Sequence, residues 1–330
     1  MTKILITGGA GFAGHHVVEH ILKNTDWRIV VWDKLNYASN GFDRLRDIDA
    51  FDDRRVQILT VDFSQPISYG VGRETGYPDY IVHMGAETHV DNSIVDPYPF
   101  VMSNVVGTYN MLQYARQVMD ANLRDFIYFS TDEVFGPAPP GVFYKEWDRY
   151  NSGNPYSATK AAGEELCLAY SNTYKLPVSI THTMNLFGER QHPEKFIPLV
   201  VRKVLAGKPV TIHADKTKTK AGSRFYIHCR TMADALLHVI YYGGFRDKYN
   251  IVGEREVDNL ELAQMIANIV GKPLVYEMVD FHSSRPGHDL RYALDGSKMK
   301  EMGWEVPIHF EKSLEKTIKW MLDNPRWLEV

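Results

Sequence analysis

Short apolar runs alternate with longer stretches of helical periodicity through the first half of the chain. Six runs of four to six residues predict strands, at 4–7, 28–32, 57–61, 80–84, 126–130 and 178–183. Apolar positions at helical spacing predict helices among them, at 15–22, 101–119 and 156–174. Strands that alternate with helices are typical of a parallel, doubly wound α/β sheet, which is the predicted fold class.

The pattern becomes mixed after about residue 187. It predicts one short strand at 210–213 and helices at 198–206, 231–242, 260–270 and from 311 onward. No stretch rich in Gly, Pro and Ser separates the two halves. We therefore predict a first domain over residues 1–187 and a smaller mixed α/β lobe over residues 188–330, partly interleaved with the first.

A glycine-rich segment directly follows the first predicted strand and opens the first predicted helix. Gly8 and Gly11 can turn the backbone and bring it close to a pyrophosphate, and Gly14 lets helix and strand pack closely. The next strand ends at Asp33, 19 residues after Gly14, where a carboxylate accepts hydrogen bonds from a ribose diol and repels a 2′-phosphate. The sequence thus predicts NAD rather than NADP as cofactor. Asp62, after the third strand, is the candidate contact to the adenine.

Hydroxyl, carboxylate, phenol and amine groups concentrate around the end of the fifth predicted strand. Thr131, Asp132 and Glu133 follow that strand, and Tyr156 opens the helix that comes next. Lys160 lies one helical turn after Tyr156 on the same face, where its ammonium favours the phenolate. Tyr156 is therefore a candidate general base. Because a simple alcohol dehydrogenase needs one proton acceptor, the two further acids suggest a second proton transfer.

Composition and charge exclude several classes of function. The 330 residues carry a formal net charge of −4 spread along the chain, so we expect no nucleic-acid partner. Cys167 and Cys229 are too few for a disulfide framework or a thiolate metal site, and His15, His16 and His213 show no metal-ligand spacing. No segment reaches the roughly 20 apolar residues of a membrane helix, and the chain opens on a strand pattern rather than a leader. We expect a cytoplasmic protein without a membrane partner or a metal.

Several motifs together resemble one known family over nearly the whole chain. The glycine segment and the Tyr156–Lys160 pair are similar to those of the extended short-chain dehydrogenase/reductase superfamily. The run from Thr131 to Glu133 narrows the resemblance to the nucleoside-diphosphate-sugar 4,6-dehydratases, most closely the dTDP-glucose type. Further matching segments lie at 33–37, 83–91, 104–109, 154–156, 193–198 and 285–289.

The resemblance implies a reaction in three stages. Tyr156, hydrogen-bonded to Thr131, would remove the proton of the C4 hydroxyl while a hydride leaves C4 for NAD. Glu133 would then take the C5 proton that the new ketone acidifies, while a protonated Asp132 donates to the departing C6 hydroxyl. Return of the hydride to C6 would give a 4-keto-6-deoxy sugar.

The resemblance also implies contact residues for both ligands. Those for NAD are Gly8, Gly11, Phe12, Ala13, Gly14, Asp33, Lys34, Leu35, Asn36, Asp62, Phe63, Met84, Gly85, Ala86, Thr88, Ser103, Tyr156 and Lys160. Those for the nucleoside-diphosphate hexose are Thr88, Thr131, Asp132, Glu133, Asn185, Lys195, Arg224, Asn259, Arg285 and His288. Lys195 and Arg224 would face the diphosphate, because the planar fork of arginine binds oxygen atoms in pairs.

The two long predicted helices carry apolar and aromatic residues on more than one face. The resemblance implies that helices 101–119 and 156–174 pair across a homodimer as a four-helix bundle. From the residues alone, burial of both faces in the core is about equally compatible with the pattern.

Three segments depart from the family pattern near the expected substrate. Residues 215–223 are longer and richer in lysine, residues 225–228 lack the usual tryptophan and acid, and residues 182–184 differ from the common form. The base and the hexose therefore stay open. Alternatives on the same scaffold are a sugar-nucleotide 4-epimerase or a glucuronate decarboxylase, which normally lack the Asp132–Glu133 pair, and a non-catalytic NAD-binding regulator.

Overall fold

A seven-stranded parallel sheet forms the centre of the larger domain in the computed structural model, which describes residues 1–281 and 290–329. Its strands are β1 (Lys3–Thr7), β2 (Arg28–Asp33), β3 (Val56–Thr60), β4 (Tyr80–His83), β5 (Asp125–Thr131), β6 (Val178–Thr183) and β10 (Asp247–Ile251). The order across the sheet is β10-β6-β5-β4-β1-β2-β3. The predicted doubly wound α/β fold is confirmed, and all six strands predicted in the first half belong to this sheet.

Helices cover both faces of the sheet. They are α1 (Phe12–Asn24), α2 (Asp43–Asp47), α3 (Tyr69–Thr75), α4 (Val90–Val95), α5 (Tyr98–Phe100), α6 (Gly107–Val118) and α7 (Pro155–Tyr174). Alternate residues of β1 enter two different cores, since Ile4 and Ile6 pack in one cluster with Val17 of α1. Leu5 packs in the other with Leu112 of α6. Burial on both faces explains why these strands are continuous apolar runs in the sequence.

The helix predicted at 101–119 starts differently from its pattern. Val101–Val106 forms a π-helical turn between α5 and α6. Asn104 in this turn accepts a hydrogen bond from the Glu87 backbone N–H at 2.9 Å and donates one to Thr159 Oγ1 at 3.0 Å. The turn thereby ties the chain around Glu87 to α7. Such turns within helices are often found at functional sites.

A smaller lobe is built from two short sheets and the helices packed on them. β7 (Asn185–Phe187), β9 (Ser223–His228) and β11 (Glu256–Asp258) form one sheet, and β8 (Val210–Ala214) pairs in parallel with β12 (Tyr276–Asp280). The helices after β7 are α8 (Phe196–Leu205), α9 (Cys229–Tyr242), α10 (Asn259–Val270), α11 (Ser297–Glu301) and α12 (Phe310–Asp323). Val200, Leu262 and Leu314, from α8, α10 and α12, share the core of this lobe.

Two elements that follow residue 187 in the chain pack with the larger domain. α9 packs on α1, where Met232 and Leu236 share a hydrophobic cluster with Val17. β10 pairs with β6 as the edge strand of the large sheet. The apolar pattern did not predict β10, because Lys248 and Asn250 interrupt it and are nevertheless buried. The division of the chain into two domains at residue 187 therefore stays a prediction.

The carboxyl ends of the central strands meet at one edge of the large sheet. Thr7 lies beside His83 in the β1–β4 register, and Thr131 lies beside Thr183 in the β5–β6 register. Asp33 ends β2 on the same edge. Ligands of open α/β sheets bind at this edge, so the predicted site residues converge where the fold favours a ligand.

Asp125 lies at the opposite end of β5 and provides a test of stability separate from the site. It is buried, its Oδ1 has no hydrogen-bond partner among the described residues, and burial raises its pKa to about 7. Because the folded pKa exceeds the unfolded value, stability is lost as the pH rises from 4 through 7. Asp125→Asn is expected to raise the free energy of unfolding at pH 8 by roughly 2 to 4 kcal/mol and to change it little at pH 4. Denaturant unfolding at both pH values checks this, and an equal effect at both would contradict it.

Candidate active site

A cavity of about 1040 Å³ lies at the carboxyl edge of the large sheet, where the smaller lobe meets it. Every described residue that was predicted to contact cofactor or substrate lines this cavity, apart from Leu35 and Asp62. Arg285 and His288 lie outside the described residues. One continuous space therefore brings together the glycine segment, the acids after β5 and the side chains of the smaller lobe.

The glycine segment forms a tight turn at the start of α1. Gly8 has a φ of +70°, and its N–H donates to the Trp32 carbonyl at 2.7 Å. A Cβ on Gly8 would lie 2.8 Å from the Cα of Gly85, so these two backbone segments can lie this close only because Gly8 has no side chain. α1 begins after Gly11 without a side-chain cap, and its first three residues line the cavity. These features fit the pyrophosphate of a dinucleotide.

Gly14 is the position where this turn tolerates least change. A Cβ there would lie 2.1 Å from the carbonyl oxygen of Gly8 and 2.7 Å from the Cα of Gly9. Because backbone atoms cannot yield as a flexible side chain can, Gly14→Ala is expected to weaken NAD binding by at least about 100-fold or to prevent folding, in keeping with the roughly 3 kcal/mol of overpacking. Calorimetric titration with NAD and circular dichroism check this. Gly70→Ala, in helix α3, is the matched control, because Gly70 does not have a positive φ and the atom nearest to a Cβ there, Ser68 Oγ, lies 3.9 Å away.

Asp33 stands at the end of β2 beside the glycine turn. Its two carboxylate oxygens accept hydrogen bonds from the backbone N–H groups of Ala10, at 3.0 Å, and Leu35, at 2.8 Å. Burial raises the pKa of Asp33, and these two bonds oppose the rise. Asp33 lines the cavity where the ribose diol of NAD was expected. Asp62 is exposed and accepts from the Ser64 N–H at 3.0 Å, so its contact with adenine stays a prediction.

The two candidate acids follow β5 in a short 3-10 helix, Asp132–Phe135. The Thr131 hydroxyl donates to Asp132 Oδ1 at 3.0 Å, and the Asn154 amide donates to Glu133 Oε2 at 3.2 Å. Asp132 Oδ2 is buried without a hydrogen-bond partner among the described residues. Burial, followed by the nearby charge of Glu133, raises the pKa of Asp132 to about 7. Asp132 can therefore hold a proton near neutral pH, as a general acid requires.

The phenol and the amine are placed by the start of α7. Asn154 caps this helix in a capping box with Ser157, which fixes Tyr156 in the first turn. Burial and the charge of Glu133 raise the pKa of Tyr156, whereas a hydrogen bond with Thr131 lowers it. Lys160 Nζ donates to the carbonyl of Phe129 at 2.7 Å, and burial lowers the Lys160 pKa to about 8. Both side chains line the cavity.

Comparison with known proteins identifies the family. A model described as "NAD dependent epimerase/dehydratase family" matches residues 4–252. The chain belongs to this family. A dTDP-glucose 4,6-dehydratase from Salmonella typhimurium is 38% identical, over 99% of this chain and 94% of the relative.

Solved structures of the epimerase/dehydratase family have the same fold. A dTDP-glucose 4,6-dehydratase from Streptomyces venezuelae, solved with NAD bound, is 34% identical with a TM-score of 0.89 and 99% of each chain covered. A UDP-glucose 4-epimerase from Thermus thermophilus, also in complex with NAD, is 26% identical with a TM-score of 0.85, covering 97% of this chain and 99% of that one. The fold is thus shared by relatives with two different activities.

In this epimerase/dehydratase protein, the smaller lobe contributes the far wall of the cavity. Arg224 is 9% exposed, donates to the Ser223 and Leu290 carbonyls at 2.7 and 2.8 Å, and lies over the ring of Tyr292. The Tyr226 hydroxyl donates to Asn259 Oδ1 at 2.8 Å. The remaining predicted residues of this wall are Asn185 and Lys195. The arginine fork is therefore oriented before any ligand arrives.

Some wall residues were not assigned from the sequence. Glu87 pairs with Lys34 at 2.6 Å, and Glu194 lies 3.7 Å from His89. Glu87 and Glu194 lie inside two of the segments that match the family, 83–91 and 193–198, so the sequence could have indicated them as site residues. His213 and Phe281 also line the cavity, but they come from β8 and the end of the β12 segment, whose pairing only the tertiary structure shows.

Two kinds of feature are absent from the described residues. Among them, no group of three His, Cys, Asp or Glu side chains is arranged to hold a metal ion. None of the helices in this part of the chain is both long enough and apolar enough to span a membrane.

Proposed function

We propose that this protein carries out the NAD-dependent 4,6-dehydration of a nucleoside-diphosphate glucose of the dTDP or UDP type, giving the 4-keto-6-deoxy sugar. The observation that carries the proposal is the Asp132–Glu133 pair beside Tyr156, in a cavity that also contains the glycine turn. A 4-epimerase needs a hydride acceptor and one base, but no acid and base to expel water. The activities named for the Salmonella and Streptomyces relatives support the same reaction.

The first stage is oxidation at C4. NAD, when bound, supplies the hydride acceptor, which takes a hydride from C4 and later returns it to C6. Tyr156 accepts the proton of the C4 hydroxyl, while Thr131 holds the phenolic oxygen in place. Lys160, one turn along α7, stabilises the phenolate by its positive charge. The glycine turn, Asp33 and Lys160 are the residues we assign to the cofactor.

The second stage is loss of water across C5 and C6. Glu133 takes the C5 proton, whose acidity the C4 ketone raises, and Asp132 donates its proton to the departing C6 hydroxyl. The division of roles rests on the raised pKa of Asp132, caused by burial and by the charge of Glu133. Because Asp132 is only 4% exposed, bulk water has little access to this proton.

The nucleoside diphosphate occupies the wall formed by the smaller lobe in this proposal. We assign Arg224 and Lys195 to the diphosphate, because two positive side chains on one wall attract its charge. Asn185 and Thr88 are assigned to the hexose end and Asn259 to the nucleoside end. The contacts of Arg285 and His288, outside the described residues, stay predictions.

We also propose a homodimer formed by α6 and α7. Tyr98 and Val101, which precede α6, are exposed, as are Tyr109 on α6 and Tyr174 at the end of α7. These side chains form the kind of exposed apolar surface that a partner covers. Light scattering tests the state of assembly. A cytoplasmic location remains an expectation, in keeping with the two buried free cysteines, Cys167 and Cys229.

The test of the proposed function is to incubate the purified protein with dTDP-, UDP-, CDP- and GDP-hexoses separately and to follow product mass in deuterated water. Loss of one water with deuterium at C5 supports the proposal and names the nucleotide. Unchanged mass with inverted C4 stereochemistry would instead indicate an epimerase, and loss of carbon dioxide from a glucuronate would indicate a decarboxylase.

A further inference from the structure

A buried cluster of charged and polar side chains lies directly behind the catalytic wall. Its centre is Glu164 on α7, which is fully buried and lies one helical turn beyond Lys160. Tyr150, His182 and Lys248 surround Glu164, and none of these four lines the cavity. Substrate and cofactor therefore do not contact the cluster, and the proposed reaction leaves it without a role.

Four polar or charged side chains face the carboxyl group of Glu164 and favour its ionised form. Ser130 donates to Oε1, and Tyr150 donates to Oε2. His182 Nε2 lies 3.0 Å from Oε2, and Lys248 Nζ lies 3.7 Å from it. These donors leave no acceptor for a proton on the carboxyl group, so they favour its charged form. Burial alone would raise the pKa of Glu164, but the nearby His182 and Lys248 hold it below its usual value.

His182 lies between Glu164 and Asn250, and each of its two ring nitrogens faces one of them. The amide nitrogen of Asn250 donates to the carbonyls of Tyr144 and Asp295, each at 3.0 Å. The amide oxygen of Asn250 must therefore face His182 Nδ1, at 3.0 Å, and accept a hydrogen bond from it. Since Nε2 faces Glu164, His182 links Glu164 to Asn250 and holds the carboxyl group in place. Residues 182–184 were one of the segments that departed from the family pattern.

Lys248 brings a second positive charge from the edge strand β10. Its side chain is 4% exposed, its Nζ donates to the Tyr150 hydroxyl, and it lies over the rings of Trp147 and Tyr150. Burial lowers the pKa of Lys248, and Glu164 opposes that change. Truncating Glu164 or Lys248 alone would leave the other as an unpaired buried charge.

The cluster reaches the catalytic groups by two routes. The charge of Glu164 opposes the effect of burial on Lys160, whose pKa is lowered to about 8. Through Ser130, Glu164 also anchors β5 between Phe129, whose carbonyl accepts from Lys160, and Thr131. The other titratable groups around Lys160 and Glu164 are His83 on β4, Tyr128 on β5, Tyr156, Glu165 and Cys167 on α7, and the cluster members themselves.

We propose that Glu164, held in place by His182, Tyr150 and Lys248, is a positioning residue that keeps Lys160 protonated and thereby keeps Tyr156 competent as a base. The inference rests on the proposed function for the role of Tyr156, and it goes beyond that function by assigning control of the base to residues outside the cavity. Its consequence is an upper pH limit on C4 oxidation, set where Lys160 loses its proton, and loss of the Glu164 charge should move that limit to lower pH.

The test is the pH profile of C4 oxidation, followed as bound NADH in single turnovers with the holoenzyme. In Glu164→Gln the limb of the profile at high pH should move down by at least about one unit, so that the profile narrows. The rate near pH 7 should fall about 10-fold or more, with substrate affinity within about twofold. Glu164→Asp, which keeps the charge, should restore the position of this limb in large part. Glu165→Gln, the exposed neighbour, should leave the profile unchanged.

A second variant separates charge from folding. Glu164→Gln with Lys248→Met removes both buried charges, so it should recover the stability lost in Glu164→Gln while keeping the narrowed profile. Recovery of the wild-type profile in this double variant, or an unchanged profile in Glu164→Gln, would overturn the proposal. If the wild-type protein turns over no sugar nucleotide, the proposed function fails separately. The titration of Tyr156, measured as the phenolate absorbance that Tyr156→Phe removes, then decides the inference. Glu164→Gln should move this titration to higher pH, and an unchanged titration would overturn the inference.

Discussion

Replacing Tyr156 with phenylalanine is expected to slow oxidation at C4 by about 10³-fold, within the range of general-base catalysis. The variant keeps the aromatic ring, which packs edge-on against Phe100, but loses the oxygen that receives the hydroxyl proton. Substrate and NAD should therefore still bind with nearly unchanged affinity. The measurement is the rate of NADH formation in a single turnover, together with the dissociation constant of NAD.

The exposed Tyr98 offers the matched control for this substitution. Tyr98→Phe removes the same atom from a side chain that does not line the cavity, and its rate should equal that of the wild type. A Tyr156→Phe enzyme that forms NADH within a factor of ten of the wild-type rate would contradict the assignment of the base. Loss of NAD binding in that variant would show instead that the substitution disturbs the glycine end of the cavity.

The double substitution Asp132→Asn with Glu133→Gln should separate the two halves of the reaction. Both replacements keep the shape of the side chains but cannot exchange protons, so C4 oxidation should continue within about 10-fold while water loss falls by about 10³-fold or more. The protein should then accumulate bound NADH and a 4-keto sugar that retains its C6 hydroxyl. Absorbance of NADH and the mass of the released sugar measure the two events.

Deuterium incorporation at C5 is the second measurement on the double variant. In deuterated water, the double variant should incorporate little deuterium at C5, because Glu133 is the assigned base for that position. Full dehydration activity in the variant would rule out the acid–base pair. The single variant Glu133→Gln removes a charge that raises the pKa of Asp132, so its dehydration should also require a lower pH.

The pH dependence of the wild type follows from the same two groups. Burial and Glu133 raise the pKa of Asp132 to about 7, so its proton is present below pH 7 and lost above it. Water loss should slow about tenfold per pH unit above that value, whereas C4 oxidation should fall only above about pH 8, where Lys160 loses its proton. Bound NADH should therefore be more abundant during turnover at pH 8 than at pH 6. The reverse order would contradict the assignment of Asp132 as the acid.

Local pattern was sufficient for much of the larger domain. The six predicted strands and the helices α1 and α7 follow from apolar periodicity, and the capping box of Asn154 and Ser157 explains why α7 starts where the pattern places it. The π-helical turn at Val101–Val106 did not follow, because its contacts with Glu87 and Thr159 come from other parts of the chain. β10 was missed because buried Lys248 and Asn250 make an interior strand look polar.

The chemistry divides in a similar way. The residue types at Thr131, Asp132, Glu133, Tyr156 and Lys160, and the glycine turn before α1, identify the reaction class, because the spacing along one strand end and one helix sets their approximate positions. The protonation states did not follow from the sequence. The raised pKa of Asp132 requires its burial beside Glu133. Glu164 lies on α7, and its three partners come from the loop before α7, β6 and β10.

By itself, the sequence of this protein determined the order of strands and helices, the cofactor turn and the set of groups that can exchange protons. These features depend on neighbours along the chain, so periodicity and motif spacing predict them. Only the tertiary structure decided that β10 completes the large sheet, that the smaller lobe closes the cavity and that His182 and Lys248 face Glu164 behind Lys160. Burial and electrostatic interaction depend on distance in space, and they join residues that are far apart in the chain, such as Tyr150 and Lys248, 98 positions apart.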